Sequence, residues 1–287
     1  MKTRVLVSGG CGFLGSHVVE ELVSAGAEVH VLDDGSSCWL SEFGSSGEEQ
    51  PPRFTVPGAR YHASIGRTPD VDVVCHLALA YPLERDPVAF ARAFRSFVSL
   101  GFDLFERSRS ARTLRRFMVG ACLGGGPRPR APLAAVVGSL ESALTYWNRP
   151  PQLDVEFVRL PELFGPRQVP ENGTVGRLLT GAIPPEGFRP GNVFHHVAFV
   201  RDAAKLLVER CLVTRHRHQT DFIVGGHVAG PNRLAAELRG LGFHTVVPLQ
   251  EEAEQFDHAD AMATATPLRD ALLETARWYQ GEGLVSG

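Results

Sequence analysis

The chain has 287 residues, of which 44% are hydrophobic, and a formal net charge of -3. That length carries a full hydrophobic core and one or two lobes. The absence of any apolar run near ~18 residues excludes a membrane span, and the slightly acidic balance argues against a nucleic-acid partner, since no face is forced to be basic.

The first stretch sets the organisation of the rest. An apolar run, Val5 to Val7, leads into glycines at 9, 12 and 15, and then into Leu14, Val18, Val19, Leu22 and Val23 at the spacing of a helix face. A second strand is predicted over Glu28 to Leu32 and ends on Asp33, about 20 residues after the glycines. In a dinucleotide fold, Gly9 makes the turn and Gly12 lets the backbone approach a pyrophosphate. Gly15 then allows close helix-strand packing, with the phosphates at the helix N-terminus. Asp33 binds the adenosine ribose hydroxyls in this reading, and with Gly35-Ser36-Ser37 behind it in place of an arginine it favours NAD over NADP. Phe13 and Leu14 at the helix start, with Leu77 and Ala78 further on, complete the expected cofactor set.

Residues 35–53, rich in serine and glycine with Pro51-Pro52, read as a surface excursion. A weak strand near Arg60 to Ala63 precedes Ser64. Val71 to Leu77 is apolar enough for a central parallel strand covered on both faces, and Ala78 to Tyr81 follow at its cofactor end. From Pro87 to about Arg107 one helix is predicted, with Phe90, Phe94, Phe97, Leu100, Leu104 and Phe105 along its face. Strand Arg116 to Ala121 ends at Cys122 and a glycine-proline segment, helix Leu133 to Trp147 follows, and strand Asp154 to Leu160 comes next. Beyond Pro161 the elements shorten: helices over Thr174 to Thr180 and Asp202 to Cys211, a strand over Thr220 to Val224, and helices over Pro231 to Leu241 and Pro267 to Gln280. The basic cluster Arg215 to His218 reads as a solvated loop. The five cysteines form no CxxC pair, which suits a reducing cytoplasm without structural disulfides or zinc, and the direct entry into a strand predicts no signal peptide.

Several of these segments resemble the extended short-chain dehydrogenase/reductases of the nucleotide-sugar epimerase and dehydratase type. They are the GxxGxxG turn, Asp72-Val-Val-Cys-His-Leu-Ala78 (DxVxHLAA), Val158-Arg-Leu-Pro-Glu-Leu-Phe-Gly-Pro-Arg167 (RxxNxYGPR), Phe199-Val-Arg-Asp202 (YVDD) and the segment Leu268 to Tyr279. The resemblance implies a doubly wound parallel sheet of Rossmann type with a smaller C-terminal substrate lobe, divided here as 1–165 and 166–287. It further implies NAD as cofactor, a small-molecule substrate and a homodimer through helices 87–107 and 133–147.

The chemistry departs from that family. Its reductases and epimerases use a Tyr-x-x-x-Lys pair, the tyrosine moving the alcohol proton while the lysine lowers its pKa and holds the nicotinamide ribose. Laid on that motif, Leu133 stands at the tyrosine and Val137 at the lysine. The inventory agrees. The four tyrosines, 61, 81, 146 and 279, are followed four places later by Ile65, Arg85, Pro150 and Gly283, and the only lysines are Lys2 and Lys205. Cys122 stands where the family has its catalytic serine or threonine, Glu162 at the asparagine of RxxNxYGP, and His195 at the diphosphate-gripping arginine. The candidate catalytic residues are therefore Tyr81, Cys122, Glu162 and His195, with Glu84, Arg85 and His196 beside them. Three functions remain open from sequence: a divergent, redox-neutral enzyme of sugar or secondary-metabolite biosynthesis; a conventional epimerase or reductase with substitute acid-base groups; and a dinucleotide-binding pseudoenzyme.

Overall fold

The apolar runs Val5–Val7 and Val29–Leu32 lie side by side as parallel strands. β1 (Arg4–Ser8) pairs with β2 (Glu28–Leu32), Val5 opposite Val29 and Val7 opposite Val31, and on its other side with β4 (Val73–His76), Ser8 opposite His76. These are seen in a computed structural model that describes residues 2–35, 54–79, 87–111, 113–122, 131–148, 153–181, 196–213, 221–223, 225–245 and 266–285. With β3 (Arg60–His62), β5 (Arg116–Cys122), β6 (Asp154–Leu160) and β9 (Asp221–Ile223), the sheet has the order β3-β2-β1-β4-β5-β6-β9. β2 and β3, and likewise β4 and β5, are parallel neighbours. Because β1 lies between β2 and β4, the order reverses there, and in open parallel sheets such a reversal opens a crevice at the C-terminal strand ends. Val5, Val7, Val29, Val31, Val73 and Cys75 are all buried, as strands covered on both faces require.

α1 (Phe13–Ser24) covers one part of this sheet with Val18, Val19 and Leu22, all fully buried. The helix expected as one α-helical face over 87–107 runs instead as α2 (Pro87–Ala93), a π turn (Phe94–Ser99) and α3 (Leu100–Ser110). The wide turn separates the phenylalanines: Phe97 is fully buried, while Phe94 is 36% exposed. α4 (Ala131–Trp147) packs against the π turn and α3.

At the opposite, N-terminal edge of the sheet, charged residues hold α6 (Val200–Leu212). The buried Arg116 donates to Asp154 at 3.0 Å and to the carbonyls of Arg210 and Val213, which supplies partners to the helix C-terminus, and Arg210 pairs with the buried Glu156. Carbonyls at a helix end lack intrahelical donors, so a guanidinium there satisfies them and complements the helix dipole. Nearby, the buried thiols of Cys75 and Cys211 are hydrogen-bonded, and that bond together with burial pushes the Cys75 thiol well up.

The chain divides into two compact units, 1–121 with 130–159 and 204–222, and 122–129 with 160–203 and 223–287. The second contains a three-stranded sheet that the sequence pattern did not reveal, of order β10-β8-β7: β7 (Glu162–Phe164) and β8 (His196–Phe199) are parallel, and β10 (His227–Val228) is antiparallel to β8. α5 (Thr174–Thr180), α7 (Pro231–Gly240) and α8 (Leu268–Gly281) bury Leu178, Leu234, Leu272 and Tyr279 together with Phe164 and Phe199 of the sheet. Tyr279 donates its hydroxyl to the Gln168 carbonyl at 3.0 Å, and Asp202 accepts from both the amide and the hydroxyl of Thr266. The strand expected near 220–224 is β9, placed at the end of the large sheet beside β6.

Candidate cofactor site

The glycines after β1 meet three different steric demands. Gly9 has φ +76°, and a β-carbon there would stand 2.7 Å from the Ala78 Cα, so the turn closes directly on the backbone that leaves β4. At Gly15 a β-carbon would fall 2.0 Å from the Gly9 carbonyl oxygen, which no side chain permits. Gly12 is different, because among the described residues the nearest atom to its β-carbon would be the same oxygen, at 3.3 Å. The first two glycines are required by the protein's own packing, and the third leaves its backbone open to approach.

The turn is fixed by backbone bonds from Gly9 to Leu32, Gly12 to Gly9, and Leu77 to Ser8, at 2.9, 3.2 and 3.0 Å. It leads into α1, whose first-turn amides have no intrahelical acceptor and whose N-cap, Gly12, supplies no side-chain bond. Such an end favours a phosphate. Asp33, at the end of β2, accepts the Cys11 amide on Oδ2 at 2.8 Å and the Gly35 amide on Oδ1 at 2.9 Å. Burial raises its pKa, the two backbone donors oppose that, and Asp34 adds to it. The Cys11 side chain donates to the Asp33 carboxylate as well, and since a carboxylate has about four acceptor positions, one remains for a ribose hydroxyl. Leu77, Ala78, Phe13 and Leu14 are half-buried around the turn, and Ser64 is exposed at the start of a short 3-10 turn after β3. The donor set and open glycine backbone fit a dinucleotide.

Beneath the turn lies a residue that sequence reasoning passed over. His76 is fully buried, its Nδ1 2.5 Å from Ser8 Oγ and its Nε2 2.8 Å from the Phe97 carbonyl. Burial lowers its pKa to about 4, with the Phe97 carbonyl opposing. The DxVxHLAA match had marked its segment, but nothing local predicts its partners.

The predicted catalytic residues are placed unevenly. Tyr81, Glu84, Arg85 and His195 lie outside the described residues, as does the Cys122 side chain. Glu162 opens β7, and its Oε1 accepts the Thr174 amide at 2.6 Å, at the N-terminus of α5. His196 opens β8 and is exposed. Val137 is buried in α4. Among the described residues, no group of three or more His, Cys, Asp or Glu is arranged to hold a metal, and no helix is long and apolar enough to cross a membrane.

The strand order, the reversal beside β1 and the glycine turn backed by Asp33 define a dinucleotide-binding protein of Rossmann type. The chain belongs to the NAD dependent epimerase/dehydratase family, which it matches over residues 5–225. No curated protein matches it in sequence. Solved structures resemble it along nearly its whole length. An NAD-dependent NDP-hexosamine 5,6-dehydratase of tunicamycin biosynthesis, TunA, is 21% identical, with 98% of each chain covered and a TM-score of 0.73. The UDP-glucose 4-epimerase of Thermotoga maritima is 22% identical, covering 98% of this chain and 99% of its own, with a TM-score of 0.72. MoeE5, solved with UDP-glucuronic acid and NAD, is 21% identical over 97% of this chain and 99% of its own, with a TM-score of 0.73. At these identities the likeness is one of fold.

Proposed function

We propose that the protein is an NAD-binding enzyme of small-molecule biosynthesis that carries out a redox-neutral step, such as an elimination, isomerisation or ring closure, on a sugar-like substrate. One observation carries this reading: an intact glycine turn backed by Asp33 coexists with a sequence in which no tyrosine is followed four places later by lysine. Selection for a standard epimerase would have kept both. The family supports the sugar-like substrate, and TunA, a hexosamine dehydratase by name, supports the redox-neutral reaction, since loss of water changes no net oxidation state.

In this reading the Gly9–Gly15 backbone and the start of α1 hold the pyrophosphate, and Asp33 holds the adenosine ribose. NAD, when bound, supplies a hydride acceptor that can return what it takes, so no reduced cofactor accumulates. Val137 in place of the family's lysine leaves the nicotinamide ribose less firmly held. The proton-moving groups are drawn from Tyr81, Cys122, Glu162 and His195, and a positioned acid or base of this kind contributes ~100- to 10,000-fold. Residues 1–165 carry the cofactor and 166–287 the substrate contacts. Two protomers pair through helices 87–107 and 133–147, a reading supported by the exposure of Phe94, Tyr146 and Trp147 on α4 and the π turn.

The test is to incubate the protein with NAD and a panel of nucleotide-activated hexoses, following product mass and NADH absorbance together. An isomeric or dehydrated product without NADH accumulation is expected, and Glu162→Gln or Tyr81→Phe should slow it by at least roughly tenfold. Stoichiometric NADH would make the protein a net oxidoreductase. Full activity in both variants, with a gain from Leu133→Tyr plus Val137→Lys, would make it a weakened conventional dehydrogenase.

A further inference from the structure

The Phe97 carbonyl can only accept, so His76 Nε2 carries the proton. The ring is neutral at neutral pH, so Nδ1 bears a lone pair, and the Ser8 hydroxyl must be the donor of the 2.5 Å bond. This fixes one direction for a three-member chain: Ser8 at the end of β1 donates to His76 at the end of β4, and His76 donates to Phe97 in the π turn. Burial and the Phe97 carbonyl are the influences on the ring, and among the described residues no carboxylate or guanidinium contributes to its titration.

The packing leaves the ring no freedom. Its face stacks on Phe97 with centroids 4.9 Å apart. A β-carbon at Gly101 would stand 2.8 Å from Nε2 and 2.8 Å from Leu140 Cδ2, so α3 and α4 close on it from the helix side. One residue beyond each of the bonded strand ends lie Gly9 and Leu77, and these are the segments whose backbones meet in the dinucleotide turn. π turns inside α-helices occur frequently at functional sites. Here the turn presents the Phe97 carbonyl to the imidazole.

We propose that Ser8 and His76 are positioning residues for the cofactor: their bond clamps the ends of β1 and β4 against the π turn and so holds the Gly9–Gly15 backbone in the conformation that receives the pyrophosphate. The proposal rests on the NAD reading, but the clamp itself can be seen without NAD. In Ser8→Ala the donor is lost, the His76 Nδ1 is left buried without a partner, and the turn loosens. Ser8→Thr keeps the hydroxyl.

The experiment measures NAD affinity by calorimetry and amide hydrogen exchange of the NAD-free protein, on wild type, Ser8→Ala and Ser8→Thr. Ser8→Ala should weaken NAD binding by about tenfold, the scale of one buried hydrogen bond, and speed exchange in peptides covering 9–15 while leaving those of α7 and α8 unchanged. Ser8→Thr should restore both. If Ser8→Ala does not fold, Ser8→Cys, whose thiol is a weak donor, carries the same expectation. An affinity within twofold of wild type, or unchanged exchange over 9–15, overturns the proposal. Absence of NAD binding by the wild-type chain would overturn the NAD reading instead, and the exchange result would then decide the clamp alone.

Discussion

Gly15→Ala is the perturbation whose consequence the structure fixes most tightly. The added carbon would fall 2.0 Å from the Gly9 carbonyl oxygen, 2.8 Å from the Gly10 Cα and 2.8 Å from the Gly9 carbonyl carbon. All three are backbone atoms, so no side chain can swing away. Relief requires α1 to move outward by more than an ångström, which carries its first-turn amides away from the turn. Overpacking of this kind costs about 2–3 kcal/mol. Expressed in binding, that is about a 30- to 150-fold loss of NAD affinity, because ~1.4 kcal/mol is tenfold. The control is Gly138→Ala. Gly138 lies within α4, nothing among the described residues stands within 4 Å of its β-carbon position, and relief of glycine's entropy cost should stabilise the chain by about 0.5–1 kcal/mol. Chemical denaturation and calorimetric NAD titration of the two variants give both numbers. A Gly15→Ala protein as stable as wild type with unchanged NAD affinity would mean that the turn accommodates the added carbon without moving α1.

Two further outcomes are expected. His76 has its pKa lowered from 6.5 to about 4 in the fold, so its contribution to stability is full above about pH 6.5 and is lost as pH falls toward 4. The interval amounts to about 3 kcal/mol. Denaturation curves of wild type and His76→Asn should therefore converge by about 2–3 kcal/mol between pH 7 and 4.5, and parallel curves would contradict this. Light scattering should give roughly twice the 31.2 kDa chain mass if α4 and the π turn form the expected isologous contact; a monomer in dilute solution would rule it out.

The cofactor half of the molecule was legible because its demands are local. Gly9, Gly12 and Gly15 answer to one another and to Ala78, and a strand, turn and helix of fixed spacing announce them. Asp33 could be found for the same reason, but its bonds to Cys11 and Gly35 could not, since they depend on how the turn folds back over β2. The π turn was hidden because Phe90, Phe94 and Phe97 keep an ordinary helical spacing, and its contacts with His76 of β4 and with α4 are long-range. His76 was visible as a motif residue, yet its partners, Ser8 and Phe97, lie far from it along the chain. The second sheet was missed because its strands, Glu162–Phe164, His196–Phe199 and His227–Val228, are too short to show a period and pair only at long range. Nothing local marks Arg116 and Glu156 for burial, because their partners in α6, the Arg210 carbonyl and the Arg210 guanidinium, lie far along the chain.

The glycine turn and Asp33 stand in a chain in which no tyrosine is followed four places later by lysine, and NAD binding is the property on which the proposed function depends. Calorimetric titration of the wild-type protein with NAD and with NADP tests it most directly. The Asp33 carboxylate beside the glycine turn predicts measurable NAD binding that is tighter than NADP binding and is weakened by Asp33→Ala. No affinity for either dinucleotide, or tighter binding of NADP, would contradict it.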